Sequence, residues 1–491
     1  MGRNVIGMDQ NKTPLFDAIR DYISLKPAYF RIPGHRFERG INQRWKDVVG
    51  DEIFKFDLTE TPLVDDLHNP EGAIKEAQEL AREVFQADHS YFLVNGTTCG
   101  NEAMVMTTAF AGQKVAIPRN AHKSALMGLI IGGAEPVYIK PELSEEWGIQ
   151  GGITPEDVET MFHEHPDCKG VMVVSPTYYG ICSDLRGIAE VCHRHNAILM
   201  VDEAHGAHMY FSDQLPDGAL VQGADMCAQS IHKVTGSLTQ SSMLHVRSKL
   251  VDIDRLEATL HIVQSTSPSY LLMTSLDMAR HDLAMHGKEM ISNAVELSNF
   301  ARKAINEIEG MICVGDSIIG TAGVKELDTT RLIISARKLG ITGFQLKSIL
   351  FDEYGIDVEL SDYINVLAIV TFANTKDEME RLISALANIA LKQASGSEIF
   401  NEIFLPEIPT RVLTPREAFF SAKKDIPWKD AKGKIAGEMI APYPPGIPVI
   451  YQGEIVTEQV WNYIENYRIR GRHLHGPADK ELIKFKVIDN K

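Results

Sequence analysis

The sequence predicts an α/β protein in which a mainly parallel sheet builds a large domain and a smaller α/β domain follows it. Short apolar runs rich in Val, Ile and Tyr alternate with helical stretches such as "PEGAIKEAQELAREVF" and "DLRGIAEVCHRH". The runs are apolar throughout rather than at every second residue, which indicates strands that are buried on both faces. Strands of this kind, separated by helices, are typical of a parallel sheet covered by helices.

Five apolar runs are predicted to be strands of this sheet. They are "SYFLV" (90–94), "KVAIP" (114–118), "PVYI" (136–139), "GVMVVSP" (170–176) and "AILMVDEA" (197–204). Polar clusters follow several strand ends, namely "NGTTCGN", "RNAHKS", "SPTYYG", "DEAHGAH" and, further along, "SIHK". Because ligands of open α/β sheets bind outside the carboxyl ends of the strands, these clusters predict one shared site.

The chain is predicted to divide into four parts. Residues 1–65 form an N-terminal arm that lies across another surface, and residues 66–290 form the large domain. Residues 291–395 form a small α/β domain that contains the runs "TRLIISA" and "INVLAIVTF". Residues 396–491, with the Pro-rich stretch "APYPPGIPVIYQGE", form a C-terminal domain.

Composition and charge exclude several classes of function. The 491 residues carry 49 Lys and Arg against 66 Asp and Glu, a net charge of -17, and no basic run offers a surface for nucleic acid. No signal peptide is evident and no apolar run approaches the ~20 residues that cross a bilayer, so a cytoplasmic protein without a membrane partner is expected. Six cysteines without a C-x-x-C pair predict reduced, buried thiols.

Lys233 and Asp202 are the central pair of candidate catalytic residues. Lys233 ends an apolar segment, where a partly desolvated amine can act as a nucleophile, although a lone lysine is more commonly a solvated surface group. Asp202 ends the run "ILMVD" and either caps a following helix or holds a pyridinium nitrogen protonated. Together they are the pair that a pyridoxal phosphate aldehyde requires.

The remaining candidates surround this pair. Thr97 and Thr98 in "NGTTCG", together with Ser230 and His232, supply hydroxyl, imidazole and backbone N–H donors for a phosphate, although Gly/Thr loops are also common turns. His122 is predicted to stack on the cofactor ring, and His205 to lie near it and handle protons.

A metal site is the alternative use of these histidines. His205 and His208 in "DEAHGAH" have a spacing that zinc accepts, but no third ligand is evident, so no metal is predicted.

Seven motifs together resemble the Orn/Lys/Arg decarboxylase family of fold type I pyridoxal phosphate enzymes, and its short arginine decarboxylase branch from bacilli most closely. They are "DEAHGAH", "SIHKVTGSLTQSSMLH", "NGTTCGN", "PRNAHKS", "FRIPGHR", "DDLHNPEGAIKEAQ" and "YPPGIPVIYQGE". The resemblance runs through most of the chain. It implies an aspartate aminotransferase-like large domain with pyridoxal 5'-phosphate as cofactor.

The resemblance also implies roles for particular residues. Lys233 is the lysine that carries the cofactor, Asp202 faces the pyridine nitrogen, His122 stacks on the ring, and the phosphate donors are those named above. Active sites shared across a homodimer or higher homo-oligomer are implied, so the arm with His35 and the "DDLH" segment with Asp65 and Asp66 is expected to complete a neighbour's pocket. Glu454 of "YQGE" is expected near the distal cation of the substrate.

The expected activity is decarboxylation of L-arginine to agmatine and carbon dioxide, feeding polyamine biosynthesis. Lysine or ornithine remain alternative substrates, and another fold type I activity such as an aminotransferase remains an alternative reaction. From a different class, a noncatalytic protein that binds a metal or small ligand through its histidine pairs was also considered.

Overall fold

The structure, a computed structural model, describes residues 7–393, 406–442, 448–469 and 474–489. Residues 443–447 of the Pro-rich motif therefore lie outside the described residues. The first 65 residues contain three helices, α1 (Pro14–Ser24), α2 (Gln43–Val49) and α3 (Glu52–Lys55). Helix α1 buries Leu15 and Ile19 completely against the large domain, so the start of the arm is anchored there.

The large domain contains eight helices and ten strands within the described residues. The helices are α4 (Ala73–Val84), α5 (Gly96–Thr108), α6 (Lys123–Gly132), α7 (Pro155–Glu164), α8 (Leu185–Arg194), α9 (Ile231–Val234), α10 (Ile253–Val263) and α11 (Tyr270–Asn306). The strands are β1 (His89–Leu93), β2 (Lys114–Pro118), β3 (Glu135–Ile139), β4 (Leu143–Ser144), β5 (Ile149–Gln150), β6 (Gly170–Val174), β7 (Ile181–Cys182), β8 (Ile198–Asp202), β9 (Met226–Gln229) and β10 (Ser242–Val246). A short 3₁₀ helix spans Ala207–Phe211.

Seven of these strands form one sheet in the order β1-β10-β9-β8-β6-β2-β3. The four pairs from β9 to β3 are parallel, and the two pairs that involve β10 are antiparallel. The predicted mainly parallel sheet is therefore confirmed. Because β6, β8 and β9 point the same way, the polar residues that follow them meet at one edge of the sheet.

Helices cover both faces of this sheet, which explains the continuous apolar runs. Val115 and Met200 point toward α5, α6 and α10, whereas their neighbours Ala116 and Val201 point toward α7 and α8. Successive residues of a strand face opposite sides, so a strand covered on both sides needs apolar residues at every position. This arrangement also fixes the strand ends rigidly, since each strand is packed from above and below.

The small domain follows on a single long helix. Helix α11 has 37 residues; its first half, with Met273 and Leu276, packs in the core of the large domain, and its second half, with Ala301 and Ile305, packs in the small domain. The predicted boundary between residues 290 and 291 falls inside this helix. The other elements are β11 (Ile312–Cys313), β12 (Glu326–Leu327), β13 (Arg331–Ser335), α12 (Gly343–Tyr354), β14 (Leu360–Ser361), β15 (Val366–Ile369) and α13 (Lys376–Lys392).

Strands β11, β13, β15 and β14 form an antiparallel sheet in that order, while β12 pairs with β7 of the large domain. The C-terminal region has its own apolar core around Trp428, Val460 and Phe485. Its elements are α14 (Pro415–Phe420), β16 (Lys423–Pro427), β17 (Ala441–Pro442), α15 (Glu458–Ile469), β18 (Leu474–His475) and β19 (Lys484–Ile488). The four-part division predicted from the sequence stays a prediction at the level of its boundaries.

All six cysteines are free and buried. A search of the described helices for one long and apolar enough to span a membrane finds none.

Candidate active site

A cavity of about 650 Å³ opens at the carboxyl edge of the main sheet. Val174 at the end of β6, Asp202 at the end of β8 and Ser230 after β9 all line it. Glu359 and Leu360 of the small domain line the same cavity, and Met439, Ala441, Pro448 and His475 line it from the C-terminal region. The volume is in the range of small-molecule sites, and the cavity lies where an open α/β sheet binds its ligand.

Lys233 lies in the third position of the one-turn helix α9, and its side chain points into this cavity. Its Nζ lies 3.0 Å from Nε2 of His205 and 5.3 Å from the ring centre of Tyr178. Burial lowers the pKa of Lys233, and the opposing attraction of the Asp202 and Glu359 carboxylates only partly offsets that effect. The amine is thus easier to deprotonate than an exposed lysine, as a nucleophilic role requires.

Asp202 lies at the floor of the cavity with 4% of its surface exposed. Nδ2 of Asn101 donates a hydrogen bond of 2.7 Å to its Oδ2, and the backbone N–H of Ala204 donates one of 3.3 Å to Oδ1. The carboxylate therefore supports a local turn rather than the start of an α-helix. Its alternative role as an ordinary helix cap does not match this geometry.

Asn101 is the last residue of the motif "NGTTCGN" and lines the cavity, but no role was predicted for it from the sequence. It lies one turn beyond Thr97 on α5, on the same helix face, and also donates to Oγ of Ser124 at 2.9 Å. Helix α5 approaches the sheet closely at Gly100, where a Cβ atom would lie 2.8 Å from Cδ1 of Leu93. A glycine there lets the helix lie close enough for Asn101 to reach Asp202.

Hydroxyl groups cluster at the start of α5. Oγ1 of Thr97 lies 2.6 Å from Oγ of Ser230 and 3.1 Å from Oγ of Ser242, and Thr98 lines the cavity beside them. No side chain caps α5: Asn95, at the cap position, donates to the carbonyl of Val263 instead. The first N–H groups of this 13-residue helix and the hydroxyls therefore form a site suited to a phosphate.

The two imidazoles expected near the cofactor also lie at the cavity. His122 is the N-cap of α6, its Nδ1 lies 2.8 Å from Oγ of Ser124, and desolvation lowers its pKa. Nδ1 of His232 lies 2.8 Å from the carbonyl oxygen of Ser241. A carbonyl only accepts, so Nδ1 carries the proton in this contact and Nε2 of His232 remains for a ligand.

His205 is held from the small domain. Nη2 of Arg331 donates a 3.0 Å hydrogen bond to its carbonyl oxygen, and the ring of Tyr178 lies 4.3 Å from the His205 ring. Burial, reinforced by the charges of Lys233 and Arg331, keeps the pKa of His205 well below its usual value. The ring is therefore neutral, and its Nε2 can accept a hydrogen bond from the Lys233 amine.

His205 and His208 do not share a ligand position. Nε2 of His208 lies 3.1 Å from Oδ2 of Asp328, which also pairs with Arg331 at 3.5 Å. Across the described ranges, no group of three His, Cys, Asp or Glu side chains is arranged to hold a metal.

The structure places Glu454 outside the lining of the cavity of this chain, so its expected contact with the substrate stays a prediction that this geometry does not support. Its carboxylate is 1% exposed and accepts two hydrogen bonds, of 2.7 and 2.6 Å, from Nη1 and Nη2 of Arg119. The Arg119 guanidinium itself lies between the rings of Tyr138 and Tyr451, 4.7 and 4.3 Å from their centres. Glu454 therefore neutralises a buried arginine and attaches the C-terminal region to the end of β2.

His35, Asp65 and Asp66 also lie away from the lining of this chain's cavity. Nε2 of His35 lies 3.0 Å from Oδ2 of Asp57, and Oδ1 of Asp66 accepts from the N–H of His68. Asp65 accepts backbone N–H bonds from the turn before α4 and from its first residues, including Gly72. Their expected part in a neighbour's pocket stays a prediction.

The residues around the cavity fit pyridoxal phosphate. A partly desolvated amine, a carboxylate, a ring-sized space and a phosphate site at a helix N-terminus are the donor set that this molecule needs. Four residues that line the cavity carry a buried polar atom without a hydrogen-bond partner among the described residues. The atoms are Oδ1 of Asn101, Oδ1 of Asn120, Oε1 of Gln150 and Nδ1 of His205. Buried polar atoms are normally paired, so unpaired ones suit a site that holds a bound group.

Comparison with known proteins agrees with this geometry. The family models "Orn/Lys/Arg decarboxylase, major domain" and "Orn/Lys/Arg decarboxylase, C-terminal domain" match residues 13–378 and 397–479. An arginine decarboxylase of Bacillus subtilis is 42% identical over 98% of this chain and 99% of its own length, and one of Halalkalibacterium halodurans is 42% identical over 98% of each chain.

The solved structure of lysine decarboxylase A from Pseudomonas aeruginosa superimposes with a TM-score of 0.84 at 22% identity, over 97% of this chain and 80% of that one. The predicted fold type I architecture is thereby confirmed. With family models that cover both its major and C-terminal regions, the chain belongs to the Orn/Lys/Arg decarboxylase family.

Proposed function

We propose that this protein decarboxylates L-arginine to agmatine and carbon dioxide with pyridoxal 5'-phosphate as its cofactor. The observation that carries the proposal is the convergence of the Lys233 amine and the Asp202 carboxylate on one cavity at the carboxyl edge of the sheet. Similarity over nearly the full chain to proteins named arginine decarboxylases supports arginine over lysine and ornithine.

The cofactor, when bound, supplies a conjugated ring that accepts the electron pair left by the departing carboxylate. Lys233 would hold it through its amine, Asp202 at the ring nitrogen and His122 against the ring face. Thr97, Thr98, Ser230 and His232 would hold its phosphate, together with the first N–H groups of α5.

Asp202 would hold a proton at the ring nitrogen, because hydrogen bonds from Asn101 and Ala204 orient its carboxylate. Asn101 fixes Oδ2, and burial within the strand end excludes water that would weaken the attraction. His205 orients the Lys233 amine through the 3.0 Å contact and, being neutral, accepts a hydrogen bond from that amine at Nε2. The floor of the site thus positions one amine and one carboxylate at the same cavity.

The test is to incubate the purified enzyme with arginine, lysine and ornithine separately and to identify the amine formed and the carbon dioxide released. Agmatine is expected to dominate. A keto acid without carbon dioxide would instead indicate an aminotransferase, and a colourless protein that binds zinc would indicate a noncatalytic role.

We further propose that two copies of the chain associate through the arm. Phe30 is 89% exposed and Val48 82%, and Leu25, Ile32, Trp45 and Leu63 add further exposed apolar surface to the same 65 residues. So many exposed apolar side chains in one segment are typical of an interface, and a symmetric dimer is the commonest assembly. Light scattering of the purified protein is expected to give twice the chain mass or a higher multiple, and a Phe30→Ser, Val48→Ser variant is expected to dissociate.

We also propose that the enzyme acts in the cytoplasm, where agmatine enters polyamine biosynthesis. Six free, buried thiols suit a reducing compartment. Fractionation of cells that produce the protein is the test.

A further inference from the structure

Two carboxylates line the cavity within the described part of the chain, and they differ in what they contact. Asp202 is buried and its oxygens accept hydrogen bonds from Asn101 and Ala204. Glu359 is exposed toward the cavity, and no described residue donates a hydrogen bond or forms an ion pair with its carboxylate. Asp202, at the floor that the strand ends form, already has hydrogen-bond partners. Glu359, at the rim that the small domain forms, remains free to bind a ligand.

The backbone holds Glu359 at this position from both sides. Its neighbours Val358 and Leu360 are 5% and 8% exposed; Val358 packs in the core of the small domain, and Leu360 packs in a second core that residues of both domains share. Leu360 also pairs with β15, and Nζ of Lys347 donates to the Glu359 carbonyl oxygen at 3.3 Å. Leu360 lines the cavity from its buried position, and Glu359 is the exposed residue between two buried neighbours, so its carboxylate is the charged group that this segment brings to the cavity.

The same rim carries an aromatic ring that faces a cation. Oη of Tyr179 donates a 2.6 Å hydrogen bond to Oδ2 of the buried Asp362, which ties the loop of Tyr178 to the segment of Glu359. The Tyr178 ring already lies 5.3 Å from the Lys233 amine. A long cationic side chain that enters from the rim therefore meets a carboxylate and a ring face on its way to Lys233.

The carboxylate of Glu359 also acts on groups inside the cavity. After the dominant effect of burial, which lowers the pKa of Lys233, Glu359 is one of two carboxylates that raise it. Its field therefore reaches the centre of the site.

We propose that Glu359 is a specificity-determining residue that pairs with the distal cationic group of the substrate, the guanidinium of arginine under the function proposed above. A carboxylate matches the fork of N–H donors on a guanidinium and forms a charge-assisted contact. The inference rests on the proposed function, and it replaces Glu454, whose oxygens are occupied by Arg119.

The test compares Glu359→Gln with Asp357→Asn, a matched control that removes the same charge from an exposed acid outside the cavity lining. For Glu359→Gln, kcat/KM for arginine is expected to fall about tenfold or more, chiefly through KM. The affinity for agmatine, measured by calorimetry on the holoenzyme, is expected to fall by a similar factor. The affinity for citrulline, the neutral ureido analogue of arginine, is expected to stay unchanged.

Equal effects of the two substitutions, or equal losses for agmatine and citrulline, would overturn the role of Glu359. If the wild-type enzyme acts on lysine or ornithine instead, the proposal that arginine is the substrate is wrong. The role of Glu359 can still be tested by the same comparison of variants, with that substrate and the diamine formed from it. An enzyme that binds no basic amine contradicts both proposals.

Discussion

The floor and the rim of the cavity are built differently. At the floor, Asp202, Asn101 and Lys233 lie on strand ends and helices of one packed sheet, and each is fixed by hydrogen bonds or burial. At the rim, Glu359 comes from the small domain and Met439 from the C-terminal region, and each of these regions has an apolar core of its own. This difference fits the two proposals above, in which residues of the floor carry out the reaction and Glu359 at the rim selects the substrate.

The largest effect is expected at the floor. Lys233→Ala should lower kcat by at least about 10³-fold, because it removes the amine that, under the proposed function, would hold the cofactor. Lys123→Ala, which removes an exposed amine from the same cavity lining, is the control and should retain most of the activity. The measurement is steady-state kinetics, with circular dichroism to check that both variants fold. Equal losses of kcat in the two variants would show that Lys233 has no special role at the floor of the cavity.

The next effect concerns stability rather than catalysis. Glu454→Gln leaves the Arg119 charge buried between two tyrosines without its partner, which costs about 3–5 kcal/mol of unfolding free energy. Thermal unfolding should show a clear drop in Tm, while the KM for arginine of the protein that remains folded should change little. A raised KM with an unchanged Tm would indicate that Glu454 contacts the substrate rather than stabilising the fold.

A third effect is a pH dependence of the unfolding free energy, caused by Glu203, the residue that follows Asp202. Glu203 is fully buried, and burial raises its pKa from 4.5 to about 7, although Gln229, Ala219 and Tyr210 all donate to it. The folded protein then keeps a proton that the unfolded chain has lost. The unfolding free energy should therefore fall by about 3 kcal/mol as pH rises from 4.5 to 7, and change little from this cause above 7.

Denaturant titrations of the wild type and of Glu203→Gln across this range are the measurement. The variant cannot ionise at this position, so the difference in unfolding free energy between the two proteins should change with pH in that window. A difference that is constant between pH 4.5 and 7 would show that Glu203 does not titrate there.

The smallest effect tests how the floor is held in place. Asn101→Ala removes the hydrogen bond to Oδ2 of Asp202 and should lower kcat about tenfold, with a smaller change in KM. The pH at which the cofactor absorbance changes should shift as well, which a purely structural role would not cause. Asn95→Ala, which alters a cavity residue bonded only to the Val263 carbonyl, is the control.

Much of the floor could be predicted from sequence because it depends on local pattern. Lys233, Asp202 and Thr97 each follow an apolar run, and parallel strands bring such positions together. Asn101 was missed because its role depends on the close approach of α5 at Gly100, although its spacing of four residues from Thr97 was an available signal.

The rim was harder to predict because its contacts join distant parts of the chain. The position of Glu454 in "YQGE" gives no indication that Arg119, 335 residues earlier, occupies its carboxylate. Glu359 follows no apolar run and precedes only the two-residue strand β14. It therefore could not be found by looking for polar residues at the ends of predicted strands. The boundary between the large and small domains was hard to place for a similar reason, because the continuous helix α11 contributes to the cores of both.

The most direct test is borohydride reduction of the purified holoenzyme followed by peptide mapping. The account predicts a stable pyridoxyl group on the peptide that contains Lys233 and on no other lysine of the cavity. A pyridoxyl group on Lys123, or a reduced enzyme without any on the Lys233 peptide, would contradict the assignment of the floor.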